Sequence, residues 1–523
     1  MEEKTMDIII KALLLVIFFG IMIAVGLYCR KKATDVNGFV LGGRSVGPWL
    51  TAFAYGTSYF SAVVFVGYAG QFGWKYGIAA TWAGIANAFL GSLLAWAVLG
   101  RRTRIMTQHL SSATMPQFFG ARFDSRALKL VASAIIFIFL IPYTASLYNG
   151  LSRLFGMAFK IDYSVCVIAM AVLTAVYVIA GGYMATAVND FIQGIIMIAG
   201  IIAVIAAVLK GQGGFMAALD SLAKVSDPSV SSTPGVFASF FGPDPLNLLG
   251  VMILTSLGTW GLPQMVQKFY AIKSEKAINK GMIISTVFAT IVAGGCYFLG
   301  GFGRLFSDKI NVAAEGYDAI VPTMLSSLPV ILIAVVVILV LSASMSTLSS
   351  LVLTSSSTLT LDFLKNSVKK DMSEKSQLLL MRVLVAVFIV ISAILAIVQY
   401  NSGISFIAQL MGVSWGALAG AFLAPFLYGL YWKRTTKAAC AVCFLFSTVV
   451  MVLNIFARSS FPKILQSPIN AGAFCMLAGL IIVPVVSLIT PKMKKERLSE
   501  IFSCYDRKVT VSVKESIGSQ EEA

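Results

Sequence analysis

Apolar stretches of about 20 residues alternate with short polar breaks along almost the whole chain, from Ile8 to Ile489. A helix of about that length crosses the hydrocarbon core of a bilayer, where only helices and closed barrels satisfy every backbone group. Barrel strands show as shorter alternating segments, so these stretches predict helices. Thirteen spans result, at 8–29, 48–70, 77–99, 130–154, 163–181, 188–209, 246–267, 281–302, 328–353, 379–399, 404–431, 438–456 and 471–489.

The polar breaks orient the spans. With the N-terminus outside, the breaks on the opposite side carry 29 Lys and Arg against nine on the N-terminal side. Positive residues gather in cytoplasmic loops, which places the N-terminus outside and the C-terminus in the cytoplasm of a multi-pass plasma-membrane protein. The longest outer loop, 210–245, contains Gly213-Gly214, Pro234-Gly235 and Pro243-Asp244-Pro245, which predict turns and short surface helices. The tail, 490–523, reads as polar and partly disordered. Its Lys492, Lys494, Lys495 and Arg497 are either ordinary inner-face charges or contacts to anionic head groups.

Composition excludes several classes. The 523 residues are 58% hydrophobic and 12% charged, with mean hydropathy +0.87, against about 25% charged in soluble domains. A soluble multidomain enzyme, a secreted disulfide scaffold and a disordered chain are ruled out. The net charge of +17 lies between spans, not along one polar face, so no nucleic-acid partner is implied. Seven cysteines, mostly inside spans, imply no disulfide framework, and Cys440-x-x-Cys443 lacks further ligands. The single His109 leaves no histidine relay. No nucleophile–base pair or metal set points to an enzyme. The implied partners are the lipid bilayer and a small molecule, with no obligate protein partner.

Two spans contain sequences that a continuous helix avoids. The second holds Ala54-Tyr55-Gly56-Thr57-Ser58-Tyr59-Phe60-Ser61, and the seventh holds Thr255 to Pro263 with Gly258, Gly261 and Pro263. Such breaks serve either close helix packing or a site that uses the freed backbone groups. The two breaks stand in corresponding places, each opening a group of five spans, and a matched pair points to an inverted-repeat transporter. In the ninth span Ser342, Ser346, Ser349 and Ser350 share one helix face. They make either helix contacts or a seat of uncharged hard oxygens for a monovalent cation. Asp190 opens the sixth span, either as a helix cap or as a cation ligand. With one such carboxylate and no buried His, sodium is a better coupling ion than the proton.

Leu41-Gly42-Gly43-Arg44-Ser45-Val46-Gly47-Pro48, the stretch from Gly181-Gly182-Tyr183 to Gly194 with Asp190, Gly261-Leu262-Pro263, and Ser344-Met345-Ser346-Thr347-Leu348-Ser349-Ser350 occur in that order. Together they resemble the sodium/solute symporter family, whose members include sodium/proline, pantothenate, monocarboxylate, sialic acid and glucose carriers. The resemblance covers the chain to about residue 490. It implies an all-α membrane fold of the LeuT type. A leading helix (1–29) would precede a five-helix repeat (48–209). After the outer loop (210–245) would come an inverted second repeat (246–431), two trailing helices (438–489) and the tail.

By the same resemblance, a principal sodium site takes the backbone carbonyls of Thr57, Phe60 and Ala343 with the hydroxyls of Ser346 and Thr347. A second sodium site falls on Ser346, Ser349, Ser350 and Asp190. The solute pocket is expected at Tyr59, Ser61, Tyr143, Thr259 and Trp260. Where the proline carriers place an Asp, a Trp and a Tyr, this chain has Tyr59, Thr255 and Thr259. The motifs look closer to the pantothenate and monocarboxylate branch. The expected function is a sodium-coupled symporter that imports a small organic carboxylate by alternating access. A sodium/proline or other amino-acid symporter is the alternative, and a membrane sensor with a degenerate transport core is the rival of another class.

Overall fold

The computed structural model describes residues 2–159, 162–365, 372–401 and 407–506. Apart from two isolated bridges, the regular structure of the described residues is helical. The main helices begin with α1 (Glu2–Cys29), α2 (Pro48–Tyr59), α3 (Val63–His109), α4 (Met115–Phe123) and α5 (Arg126–Phe159). They continue with α6 (Tyr163–Gly211), α7 (Pro245–Gly261), α8 (Pro263–Ala271), α9 (Glu275–Gly300) and α10 (Val330–Thr358). The last are α11 (Glu374–Asn401), α12 (Ile407–Tyr431), α13 (Lys437–Phe456), α14 (Pro468–Ile489) and α15 (Lys495–Phe502). Several start on a capping side chain. Thr114, Asp244, Ser274 and Thr436 each accept the amide three residues on.

Ten of the described helices are long and apolar enough to cross a membrane, or eleven with the bent pair α7–α8 taken as one span. Two of the ten contain sharp turns, α3 at Gly77 (φ 61, ψ −143) and α6 at Gly182 (φ 54, ψ −148). Only glycine adopts such backbone readily. Dividing α3 and α6 there, and joining α2 to the first part of α3, recovers the thirteen expected spans as a way of reading the helices. Length and hydropathy alone give the smaller number.

The outer helices carry their apolar residues outward. On α6 Val165, Ile168, Val172 and Val176 are exposed at helical spacing, as for a lipid-facing stripe. Polar residues are instead gathered inside. On α10 every residue from Leu339 to Thr358 is buried, and nearly all of α12 is buried too. The fold thus inverts the soluble pattern, with its hydroxyl-rich helix at the centre.

The first part of the tail is ordered. Residues up to Asp506 pack against the lysine- and arginine-rich face: Phe502 sits 4.9 Å from the Arg122 guanidinium, and the Tyr505 hydroxyl donates to the Arg102 carbonyl at 3.3 Å. Arg497 pairs with Glu500 at 2.6 Å. An amphipathic helix with Ile501 and Phe502 buried explains the docking. Residues 507–523 lie outside the described part.

Candidate functional site

Both expected breaks are present. The helix of α2 stops at Phe60 (φ −90, ψ 115), and winding resumes where Val64 and Phe65 donate to the Ser61 carbonyl at 3.0 Å. The second break falls at Leu262 (φ −77, ψ 123), where α7 and α8 meet at a 44° bend. Pro263 begins α8, where its missing N–H costs nothing. Gly261 is needed at this break because a Cβ there would stand 2.8 Å from the Ala419 Cα of α12.

The break in α2 leaves carbonyls without their helical partners, and α10 meets them with hydroxyls. Ser346 Oγ lies 3.2 Å from the Thr57 carbonyl and 3.0 Å from that of Ala343. Thr347 Oγ1 lies 2.9 Å from Thr57 O, 3.2 Å from Phe60 O and 3.1 Å from Ala343 O. The five expected oxygens therefore converge in one buried spot. None carries a formal charge. Neutral hard oxygens of this kind suit a weakly held monovalent cation, and each hydroxyl can give up its present bond to offer a lone pair. No group of three or more His, Cys, Asp or Glu that could hold a metal ion occurs among the described residues.

One turn further along α10, the second expected set is assembled differently. Ser349 Oγ donates back to the Ser346 carbonyl at 2.9 Å. Ser350 Oγ stands 2.9 Å from Ser58 Oγ and accepts from Lys268 Nζ at 3.0 Å. The same ammonium lies 3.9 Å from Asp190 Oδ2. Sequence reasoning placed Lys268 at the start of a basic loop, whereas α8 carries it into the interior, buried with Asp190. Its apolar neighbours Val266, Phe269 and Tyr270 were the signal available. The capping role for Asp190 does not hold. Winding resumes directly after Gly182, so Asp190 lies two turns inside the helix, and neither carboxylate oxygen accepts a hydrogen bond.

The expected solute pocket divides. The Tyr143 hydroxyl lies beside Ser61 and Trp415 without a hydrogen-bond partner, and its ring meets Trp415 edge-on at 5.9 Å. The indole Nε1 of Trp415 is likewise unpartnered, and a Cβ on Gly258 would fall 2.6 Å from that indole. Thr259 and Trp260 turn away. Thr259 Oγ1 donates to Gly91 O at 2.8 Å and Trp260 Nε1 to Leu90 O at 2.9 Å, both on α3. The small face of Gly258 and Gly261 must abut α12, which rotates the two larger side chains to the other flank. The structure thus does not bring these two side chains together with Tyr143. The Tyr59 side chain lies outside the described part.

The two ends of the molecule differ. A cavity of about 770 Å³ opens on the face that carries residues 210–245, lined by Gln71, Lys75, Asp227, Asp244, Arg304 and Asn470 among others. Hydrogen bonds from Ser229 and Arg304, the latter 2.9 Å away, hold the Asp227 carboxyl below its usual range. On the basic face, Gly42, Gly43 and Arg44 all have positive φ (58°, 66° and 54°). This turn sends the Arg44 guanidinium to the carbonyls of Ser112 at 2.6 Å, Tyr270 at 3.1 Å and Thr107 at 3.4 Å. Val46 adds backbone bonds with Ala271 and Lys273 at 3.2 and 2.9 Å. The Leu41–Pro48 motif is thus a clasp on the end of α8.

Comparisons place this geometry in context. A family model described as the sodium:solute symporter family matches residues 39–445. The osmoregulated proline transporter OpuE of Bacillus subtilis (strain 168) is 28% identical over 484 residues, covering 92% of this chain and 94% of that protein. A sodium/proline symporter of Staphylococcus aureus (strain NCTC 8325 / PS 47) is 27% identical over 494 residues, covering 92% and 93%. Among solved structures, a Na+-coupled sialic acid symporter in a substrate-bound outward-open state superposes with a TM-score of 0.72 at 17% identity, over 93% of this chain and 99% of that one. A manganese transporter of Eremococcus coleocola follows at 0.51 and 9% identity, over 90% and 96%. At those identities the likeness is one of fold.

Proposed function

The chain belongs to the sodium:solute symporter family, a family of secondary transporters with sodium as coupling ion, and from that premise we propose that it imports proline or a similar small amino acid. The solute class rests on the proline transporters to which the chain is similar along nine-tenths of its length. In this reading the N-terminus is outside, the 770 Å³ cavity is the outer vestibule, and the Arg44 clasp closes the cytoplasmic side.

The observation that carries sodium coupling is the convergence of Thr57, Phe60, Ala343, Ser346 and Thr347. Sodium among these oxygens would tie α2 to α10 and fix the break next to which the solute binds. The coupling is reciprocal, since whatever factor sodium adds to solute affinity the solute adds to sodium affinity. A membrane potential of −100 mV contributes about 2.3 kcal/mol per charge moved, close to fifty-fold accumulation.

A carboxylate without an amine, such as pantothenate or a short monocarboxylate, is the second reading. It is favoured by the lack of an acidic residue in the break around Tyr59, where an amine would need a counter-charge. The deciding experiment is uptake of labelled proline into proteoliposomes under an inward sodium gradient, with potassium as control. Sodium-driven uptake competed by proline analogues and not by pantothenate or lactate supports the amino-acid reading. Uptake of either acid without proline uptake replaces it.

A further inference from the structure

The serine face of α10 offers two adjoining seats for a cation, and only one of them is neutral. In the second, Lys268 reaches from α8 to place its ammonium 3.0 Å from Ser350 Oγ, 3.9 Å from Asp190 Oδ2 and 5.1 Å from the Tyr183 ring centre. Lysine and carboxylate are almost wholly shielded, with side chains 3% and 0% exposed. Among the described residues the ammonium is the one ion-pair partner of Asp190, whose oxygens accept no hydrogen bond. A buried carboxylate needs a counter-charge. Lys268 provides it with the hydroxyl and carboxylate that a second sodium would use, and two cations cannot share so small a low-dielectric space.

We propose that Lys268 is the resident cation of this pocket, so that the carrier binds one sodium where Asp190, Ser349 and Ser350 would otherwise take a second. The proposal rests on the sodium-coupled reading above. The ammonium also has a structural consequence that an exchangeable ion lacks. Through Ser350, itself 2.9 Å from Ser58, it keeps α8, α10 and α2 connected whether or not sodium is bound.

The test counts sodium ions directly, apart from transport. Equilibrium binding of radioactive sodium to the purified full chain should give one ion per protein. Lys268→Gln, which frees the carboxylate, should give two, and the Hill slope of sodium-dependent thermal stabilisation should rise towards two. Lys268→Arg should keep one ion, and so should Lys268→Gln combined with Asp190→Asn. Two ions on the unaltered protein overturn the proposal without touching the sodium-coupled reading. One ion on a folded Lys268→Gln protein overturns it as well. No sodium on the unaltered protein removes both. Should Lys268→Gln fail to fold, the count on the unaltered chain still decides.

Discussion

Thr57, Phe60, Ala343, Ser346 and Thr347 gather five oxygens with no charge among them, whereas one turn along the same helix Ser350 meets a carboxylate and an ammonium. Both pockets are buried, and both draw on serines of α10 facing a broken span. They differ in what must enter. A neutral cage holds a monovalent ion weakly enough to release it at each cycle. A full carboxylate sealed from water requires a permanent partner, and Lys268 is covalently present. In the proposed reading, charge more than shape therefore separates a seat for a travelling ion from one for a resident cation.

The comparison breaks most visibly at the charged pocket. Asp190→Asn leaves the Lys268 ammonium buried without its partner, a change that costs roughly 3–5 kcal/mol. Thermal unfolding of the purified variant should register that loss, and Lys268→Met in the same chain should recover most of it. A single variant as stable as the parent would show that the pair is not a buried ion pair. At the neutral pocket, Ser346→Ala with Thr347→Ala should leave the fold standing in potassium. It should also abolish stabilisation by sodium, worth about 2.7 kcal/mol at a hundred times Kd. Retained sodium stabilisation would move the site elsewhere.

Gly258→Ala sharpens the contrast by touching neither pocket. Its methyl group would meet the Trp415 indole at 2.6 Å, so the solute KM should rise about tenfold, near 1.4 kcal/mol, with sodium stabilisation unchanged. Loss of sodium stabilisation instead would mean that solute and ion share one space.

A second buried carboxyl gives the smallest effect. Burial lifts Asp318, in the segment before α10, to about 6, against the opposing Ile407 amide, 3.4 Å away, and Arg153. With the unfolded value near 4, the folded protein binds the proton more tightly. This group's contribution therefore falls as pH rises from about 4 to 6 and is level above. Asp318→Asn should remove that slope. Because the charged acceptor for Ile407 is lost too, it should raise stability at neutral pH by only about 1 kcal/mol. An unaltered slope in denaturation across that range would assign it to other groups.

The region of the neutral pocket was legible from two signals, a break that frees carbonyls and a run of hydroxyls at helical spacing, while its individual oxygens at Thr57, Phe60, Ala343 and Thr347 came from the family resemblance. Backbone atoms at a break need no side-chain geometry to be placed. Lys268 was not legible, because a lysine followed by Lys273, Lys276 and Lys280 reads as the edge of a basic loop. Only the 44° turn at Leu262 carries it inward. Thr259 and Trp260 point towards α3 for a related reason. The rotation of a helix about its own axis is set by which face must come closest to a neighbour. Here Gly258 and Gly261 took that place, against Trp415 and Ala419. The spans themselves were readable from hydropathy, while their number depended on turns at Gly77 and Gly182 that hydropathy does not register.

The Arg44 clasp bears on timing. Its guanidinium grips residues before α4 and the last turn of α8 at once, through oxygens of the main chain that substitution cannot remove. Any motion that parts α8 from the end of α3 has to undo these bonds together, since they share one side chain. Arg104, which donates to the Ile272 and Lys273 carbonyls at 2.5 and 3.4 Å, would have to let go in the same movement, so under the proposed reading two arginines, bonding main-chain oxygens, would make this face open as a unit and not piecemeal.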